Sequence, residues 1–162
     1  MYLVDANILI EAKNRYYGFD IAPGFWTWME KLHADGLACS IEEVRNELLA
    51  GQDELAEWAK THSAFFRPID SAAAAKFAPL TAWANSQTFT PAALAKFTGT
   101  AADYQLVAYA AAHGLTLVTH EQSNPASKKR VLIPDACMAM GVTSIGTFEM
   151  MRRTGAKLNL TS

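Results

Sequence analysis

The sequence predicts an α/β fold, with a central, mostly parallel sheet flanked by helices on both faces. Three observations carry that prediction. Short apolar runs alternate along the chain with longer stretches of helical periodicity, which is the order that βαβ units produce. The first run, Tyr2-Leu3-Val4, leads straight into Asp5, and the carboxyl ends of strands are where open α/β sheets form their ligand sites. Hydrophobic residues make up 51% and charged residues 19% of a 162-residue chain. That balance suits one globule with a sizeable core and argues against disorder.

Taken in order, residues 2 to 5 read as the first strand and 6 to about 14 as a short helix carrying Ile8, Leu9 and Ile10. Lys13-Asn14-Arg15-Tyr16-Tyr17-Gly18 reads as a basic, aromatic loop that breaks it. Pro23-Gly24 starts a helix with Phe25, Trp26, Trp28, Met29 and Leu32, closed by Asp35-Gly36. Leu37-Ala38-Cys39 is a second strand. Ser40-Ile41-Glu42-Glu43 has the capping-box pattern, serine followed three residues later by glutamate. The helix it opens puts Ile41, Val44 and Leu48 on one stripe and ends near Gly51. A further helix holds Leu55, Trp58 and Ala59, and Phe65 to Ile69 is a short extended element or a loop.

From Asp70 the chain is alanine-rich and helical, with Phe77, Leu80 and Trp83 on one side and a break or kink expected at Pro79. Pro91 restarts a helix through Leu94 and Phe97, closed by Gly99. Thr100-Ala101-Ala102-Asp103 is a second capping-box pattern, opening a helix that runs through Ala112 and stops at Gly114. Leu115 to Thr119 is a strand, His120 to Arg130 a loop, and Val131-Leu132-Ile133 a strand closed by Pro134-Asp135. A helical turn, a short strand within 142 to 145 and a helix to about Arg153 follow. The whole reads as a single domain over residues 1–155 with a loose tail, 156–162.

Composition also excludes several classes. A net charge of −2 and a pI near 6.1 rule out a polycation, so nucleic-acid contact must come from local basic patches. No apolar run approaches a membrane span, and no basic-then-apolar leader precedes the first strand. The expectation is a cytoplasmic protein without membrane contact. Cys39 and Cys137 sit in apolar contexts and suit reduced core thiols. Glycine-rich phosphate loops are absent, and His33, His62, His113 and His120 lack metal-ligand spacing.

The carboxylates hold the chemistry. Asp103 falls on the same helical stripe as Leu106, Val107 and Ala110, and a core-facing charge is costly unless it is paired or bound to a metal. The plainer reading makes it the third residue of the Thr100 cap. Glu47 lies between Val44 and Leu48, too far along its helix for a capping role, and is otherwise a solvated boundary residue. Glu121 and Asp135 follow predicted strands, where each could serve only as a turn former. Asp5, Glu121 and Asp135 occupy the carboxyl edge of predicted parallel strands, and Asp103 and Glu47 head or line helices that could face the same edge. Converging carboxylates repel one another unless a cation neutralises them, and Mg²⁺ or Mn²⁺ suits oxygen ligands. Such ions support phosphodiester hydrolysis.

The pattern resembles PIN-domain ribonucleases over roughly residues 1 to 145. The motifs are Asp5 with Asn7, Glu47 in Val44-Arg45-Asn46-Glu47-Leu48, Asp103 in Asp103-Tyr104-Gln105-Leu106-Val107-Ala108, and Glu121 in Val118-Thr119-His120-Glu121. The stretch from Lys13 to Trp28 resembles a toxin-type bacterial PIN-like subgroup of poorly assigned function. The resemblance implies a PIN-like fold and a Mg²⁺- or Mn²⁺-dependent endoribonuclease. It implies the toxin of a type II toxin–antitoxin pair, with RNA as substrate, a cognate antitoxin as partner and a possible homodimer. Asp5, Glu47, Asp103 and Glu121 would be the catalytic and metal-binding residues, supported by Asn7 and Thr119. The family commonly has aspartate where Glu121 stands, so Asp135 is a candidate to share its duty.

Candidate RNA contacts are Lys13, Arg15 and Tyr16 in one cluster and Lys128, Lys129 and Arg130 in another. Each reads equally well as an ordinary solvated loop. His120 neighbours the site as either a loop residue or a substrate contact. The reading from another class is a degenerate PIN-like scaffold that binds RNA or a protein partner without cleaving it.

Overall fold

The computed structural model describes residues 1–98 and 101–160. Five short parallel strands form one sheet in the order β3-β2-β1-β4-β5. They are β1 (Tyr2–Val4), β2 (Ala38–Ile41), β3 (Phe66–Arg67), β4 (Thr116–Val118) and β5 (Ser144–Ile145). Successive residues of a strand point to opposite faces. Leu3 and Val4, Ala38 to Ile41, and Leu117 and Val118 are all buried, so both faces of the central strands are covered. The helices that cover them are α1 (Ala6–Glu11), α2 (Pro23–Ala34), α3 (Glu42–Ala50), α4 (Glu54–Thr61), α5 (Ser71–Ala74), α6 (Phe77–Ser86), α7 (Pro91–Thr98), α8 (Ala102–His113), α9 (Ile133–Ala139) and α10 (Thr147–Arg153).

The strand order reverses between β1 and β4. The chain grows outward from β1 to β2 and β3, then returns through α5 to α8 to place β4 on the other side of β1. This is a topological switch point, where connections leaving the two central strands part and open a crevice at their carboxyl ends. Asp5 and Thr119 stand at its two lips. The Asp5 N–H donates to the Val118 carbonyl at 3.0 Å, locking the lips together.

Several predicted details are corrected. Ser40 is not a helix cap: it lies in β2, and its hydroxyl donates to the Val4 carbonyl at 2.6 Å. The N-cap of α3 is Ile41, which has no side-chain acceptor, so the serine–glutamate spacing there is coincidental. Thr100 and Gly99, expected as a cap and a stop, lie outside the described residues. Val131-Leu132-Ile133 is not a strand. Val131 and Ile133 are buried, but the run leads into α9, with Pro134 in the first turn, where a missing N–H does no harm. The alanine-rich segment divides between Ala74 and Phe77, ahead of Pro79. The ring of Pro79 would clash with the Ala75 carbonyl in a continuous helix, so the break falls before it. Lys13 to Tyr16 is not a loop, since Ala12–Tyr16 forms a π-helical turn. The Tyr17 N–H closes it on the Ala12 carbonyl at 2.6 Å.

The Ser40–Val4 bond ties two central strands beside the crevice and is fully buried. Ser40→Ala is expected to cost about 1–3 kcal/mol, because it strands a buried acceptor. In urea denaturation the midpoint should fall with the slope unchanged, and helical circular dichroism should be preserved. An unaltered midpoint would refute the anchoring role.

Candidate functional site

Asp5 is the N-cap residue of α1, yet its side chain makes no capping bond. It is only 4% exposed and points to the β4 lip. There the Thr119 hydroxyl donates to Asp5 Oδ2 at 2.8 Å. The same hydroxyl oxygen accepts from Asn7 Nδ2 at 3.3 Å and from the Glu121 N–H at 3.1 Å. With two N–H donors aimed at that oxygen, its own proton must go to Asp5. Asn7 completes the lattice by accepting the His120 N–H at its Oδ1, 3.2 Å away. One hydroxyl thus fixes the Asp5 carboxylate and joins α1 to the loop after β4.

The carboxylates act on one another. Burial pushes the Asp5 carboxyl up to about 7, and Asp103 and Glu121 add to the rise, while the Thr119 hydroxyl and the Ala6 N–H oppose it. Burial also raises Asp103, against the pull of Arg130 and Lys96. Glu47 is exposed as a residue, but partial desolvation of its carboxyl raises its pKa, with Asp103 and then Glu43 adding to that. Glu121 is raised by desolvation and by Asp103 and Asp135; the Ile133 N–H and Arg130 hold it down. Asp103 therefore bears on Asp5, Glu47 and Glu121 alike, although the helix it heads begins almost a hundred residues after Asp5.

Glu121 is already engaged. Its Oε1 pairs with Arg130, and its Oε2 accepts the Ile133 N–H at 2.7 Å. Asp135 neighbours it but is also engaged, accepting the Ser123 hydroxyl at 2.5 Å and the Asn124 N–H at 3.1 Å. The all-oxygen donor set and its mutual repulsion fit a hard divalent cation. Among the described residues, no group of three or more His, Cys, Asp or Glu side chains is set to hold a metal ion. Ligation by Glu121 requires it to leave Arg130.

The basic residues separate. Lys13 pairs with Asp53 at 3.1 Å, and Arg15 is exposed. Lys129 and Arg130 line a cavity of about 110 Å³ with Asp103 and Lys96. Lys96 was missed in the sequence, where a single lysine on an apolar helix carries no signal. Lys128 is exposed. Cys137 lies beneath the site. Burial, then Asp5 and Glu121, push its thiol up to about 12, which excludes a thiolate nucleophile.

A family model described as a domain of unknown function, DUF4411, matches residues 2–158. No curated protein matches the chain. Among solved structures, FitAcB from Neisseria gonorrhoeae is similar, with a TM-score of 0.56 and 18% identity over 90% of this chain and 96% of that one. At that identity the likeness speaks for the fold, which is PIN-like. No helix among the described residues is long and apolar enough to cross a membrane.

The raised Asp5 pKa has a consequence for stability. Between about pH 4 and 7 the folded, metal-free protein retains a proton that the unfolded chain has lost, so stability falls as pH rises through that window and levels off above it. Asp5→Asn removes the effect. In EDTA the variant is expected to be more stable than the parent at pH 8, by up to about 4 kcal/mol on the scale of ~1.4 kcal/mol per pKa unit. The gap should close toward pH 4. Urea midpoints across pH check this, and a pH-independent difference would contradict it.

Proposed function

We propose that this chain, which belongs to the DUF4411 family, is a divalent-metal-dependent endoribonuclease that hydrolyses RNA phosphodiester bonds, working as a single domain over residues 1–155. One observation carries the reading. A buried carboxylate at the switch point of a PIN-like sheet is oriented by a hydroxyl and electrostatically coupled to further carboxylates, with no resident cation side chain on Asp5 itself. A structural role would neutralise that charge locally; here it is left to repel its neighbours.

Asp5, Asp103 and Glu47 would hold Mg²⁺ or Mn²⁺, joined by Glu121 once it is released from Arg130. Such an ion supplies activation of water and neutralisation of charge at the phosphate. The chain's own contribution is positioning. Thr119 fixes the rotamer of Asp5, Asn7 fixes Thr119, and the buried sheet edge excludes bulk water. Lys96, Lys129 and Arg130 supply positive charge beside Asp103, where an RNA phosphate would otherwise be repelled. The sequence resemblance extends the reading to a cytoplasmic toxin with a cognate antitoxin and a homodimeric state.

A second reading, a degenerate scaffold that binds RNA or protein without cleavage, draws on the occupied state of Glu121. A cleavage assay on single-stranded and structured RNA with Mn²⁺ separates the two. Asp5→Asn and Asp103→Asn should each lower the rate on the order of 100-fold, the size of effect seen when one electrostatic partner of a transition state is removed. RNA binding without any cleavage selects the scaffold. Activity surviving both substitutions would sink the carboxylate site.

Thr119 gives a separate test of positioning. Thr119→Val should raise the Mn²⁺ concentration for half-maximal activity by about 10–100-fold, as for other outer partners of metal ligands. Thr119→Ser should restore it. If valine and serine behave alike, the hydroxyl is not what orients Asp5.

A further inference from the structure

Next to the carboxylates, across Thr119, lies a cavity of about 430 Å³, the size of a small-ligand pocket. Two aromatic rings on its wall are left open to solvent, Tyr16 at 55% and Phe148 at 57% exposure. The neighbouring Tyr17 also lines the cavity, but it is half-buried and stacks on Phe25 with centroids 4.7 Å apart. The two tyrosine rings lie 6.3 Å apart at 52° to one another, and Tyr16, which ends the π-helical turn, is the exposed one.

The polar part of the wall is built around His120. Its Nε2 is 2.8 Å from the Thr147 hydroxyl. Its Nδ1 is 2.8 Å from Glu11 Oε2, an ion-pair distance, but out of line for a hydrogen bond, so this buried nitrogen has no hydrogen-bond partner. Gln122 adds an amide, and Glu149 a second carboxylate.

We propose that this cavity receives an unstacked base of single-stranded RNA, from a nucleotide adjoining the phosphate at the carboxylates. The proposal rests on the ribonuclease reading for its ligand class. Exposed aromatic faces stack bases of any sequence, and polar groups then read the splayed base along its edge. Glu11 and Glu149, the second of them paired with Arg153 at 3.0 Å, offer carboxylate acceptors to N–H donors. Guanine, adenine and cytosine, which carry exocyclic amino groups, fit that lining better than uracil, whose imino group is flanked by two carbonyls. The volume argues against a single inserted amino-acid side chain, which would leave much of it empty. Thr119 belongs to this wall and to the Asp5 lattice, so base and phosphate would sit one nucleotide apart.

The test is fluorescence anisotropy in EDTA, with fluorescein-labelled uridine octamers carrying one central guanosine, adenosine or cytidine, and an all-uridine octamer as reference. The intact chain should bind the substituted octamers about fivefold or more tightly than the reference. Tyr16→Ala and Phe148→Ala should each weaken that binding about tenfold, the effect of losing one stacked base. Tyr16→Phe should not. Both residues are exposed, and circular dichroism verifies the fold of each variant. Affinities within twofold across all variants, or no base preference, would overturn the proposal. So would an arginine-containing peptide whose binding, unlike that of RNA, depends on these two rings, since the cavity would then serve a protein partner. Because no metal is present, a failure to cleave RNA in Mn²⁺ counts against the nuclease reading and leaves this binding result standing.

Discussion

The carboxylate of Asp5 is sealed at the meeting of two parallel strands, and the surrounding structure is arranged around that cost. An ionised group deprived of water must find partners or take up a proton. Asp5 finds one strong hydrogen bond, from Thr119, and a weak pull downward on its pKa from the neighbouring Ala6 N–H. Those contacts orient the group without neutralising it, and Asp103 and Glu121 push in the opposite direction. The β1–β4 pairing makes the arrangement possible. The reversal of strand order opens the crevice, and the Asp5 N–H bond to Val118 sets how far apart its lips stand.

Electrostatic coupling is shared unevenly around this centre. Asp103 raises three other carboxyls, and the cations that answer it come from a loop and from the end of α7, not from the strands. The strand-tip group is therefore fixed by a short hydrogen bond, while Asp103 at the head of its helix is balanced by longer-range charge from Arg130 and Lys96. Fixed geometry at one end and adjustable charge at the other suits a site whose ligand arrives with its own charges.

How much of this could be read from the sequence follows from the range of each interaction. The alternation of strands and helices, the position of Asp5 at a strand tip and the inward stripe holding Asp103 are local or periodic features, and they were legible. Thr119 was legible as a supporting residue through the family resemblance, but not as the partner of Asp5, since it lies 114 residues away and nothing local marks its hydroxyl as a three-way junction. Ser40 misled because serine followed by glutamate carries the capping pattern whether the serine ends a strand or starts a helix. Val131-Leu132-Ile133 misled because a run of three apolar residues has no period of its own. Pro79 announced a break but not its side; the clash with the carbonyl four residues back decides that.

Glu121 acquires a physical reason once its contacts are known. Its two oxygens serve two duties, one toward Arg130 and one toward the Ile133 N–H, which belongs to the first turn of α9 and has no intrahelical acceptor. An aspartate, one methylene shorter, would fall short of the Ile133 N–H if its backbone stayed where the Thr119 hydroxyl holds it. The glutamate thus lets a single residue both follow the β4 lip and tie down the start of α9. The cost falls on ligation, because a cation at this corner competes with a guanidinium and a backbone donor for the same carboxylate. That competition makes Arg130 the group on which the release of Glu121 depends. An anion that drew Arg130 away would free one oxygen of Glu121 to face the other carboxylates.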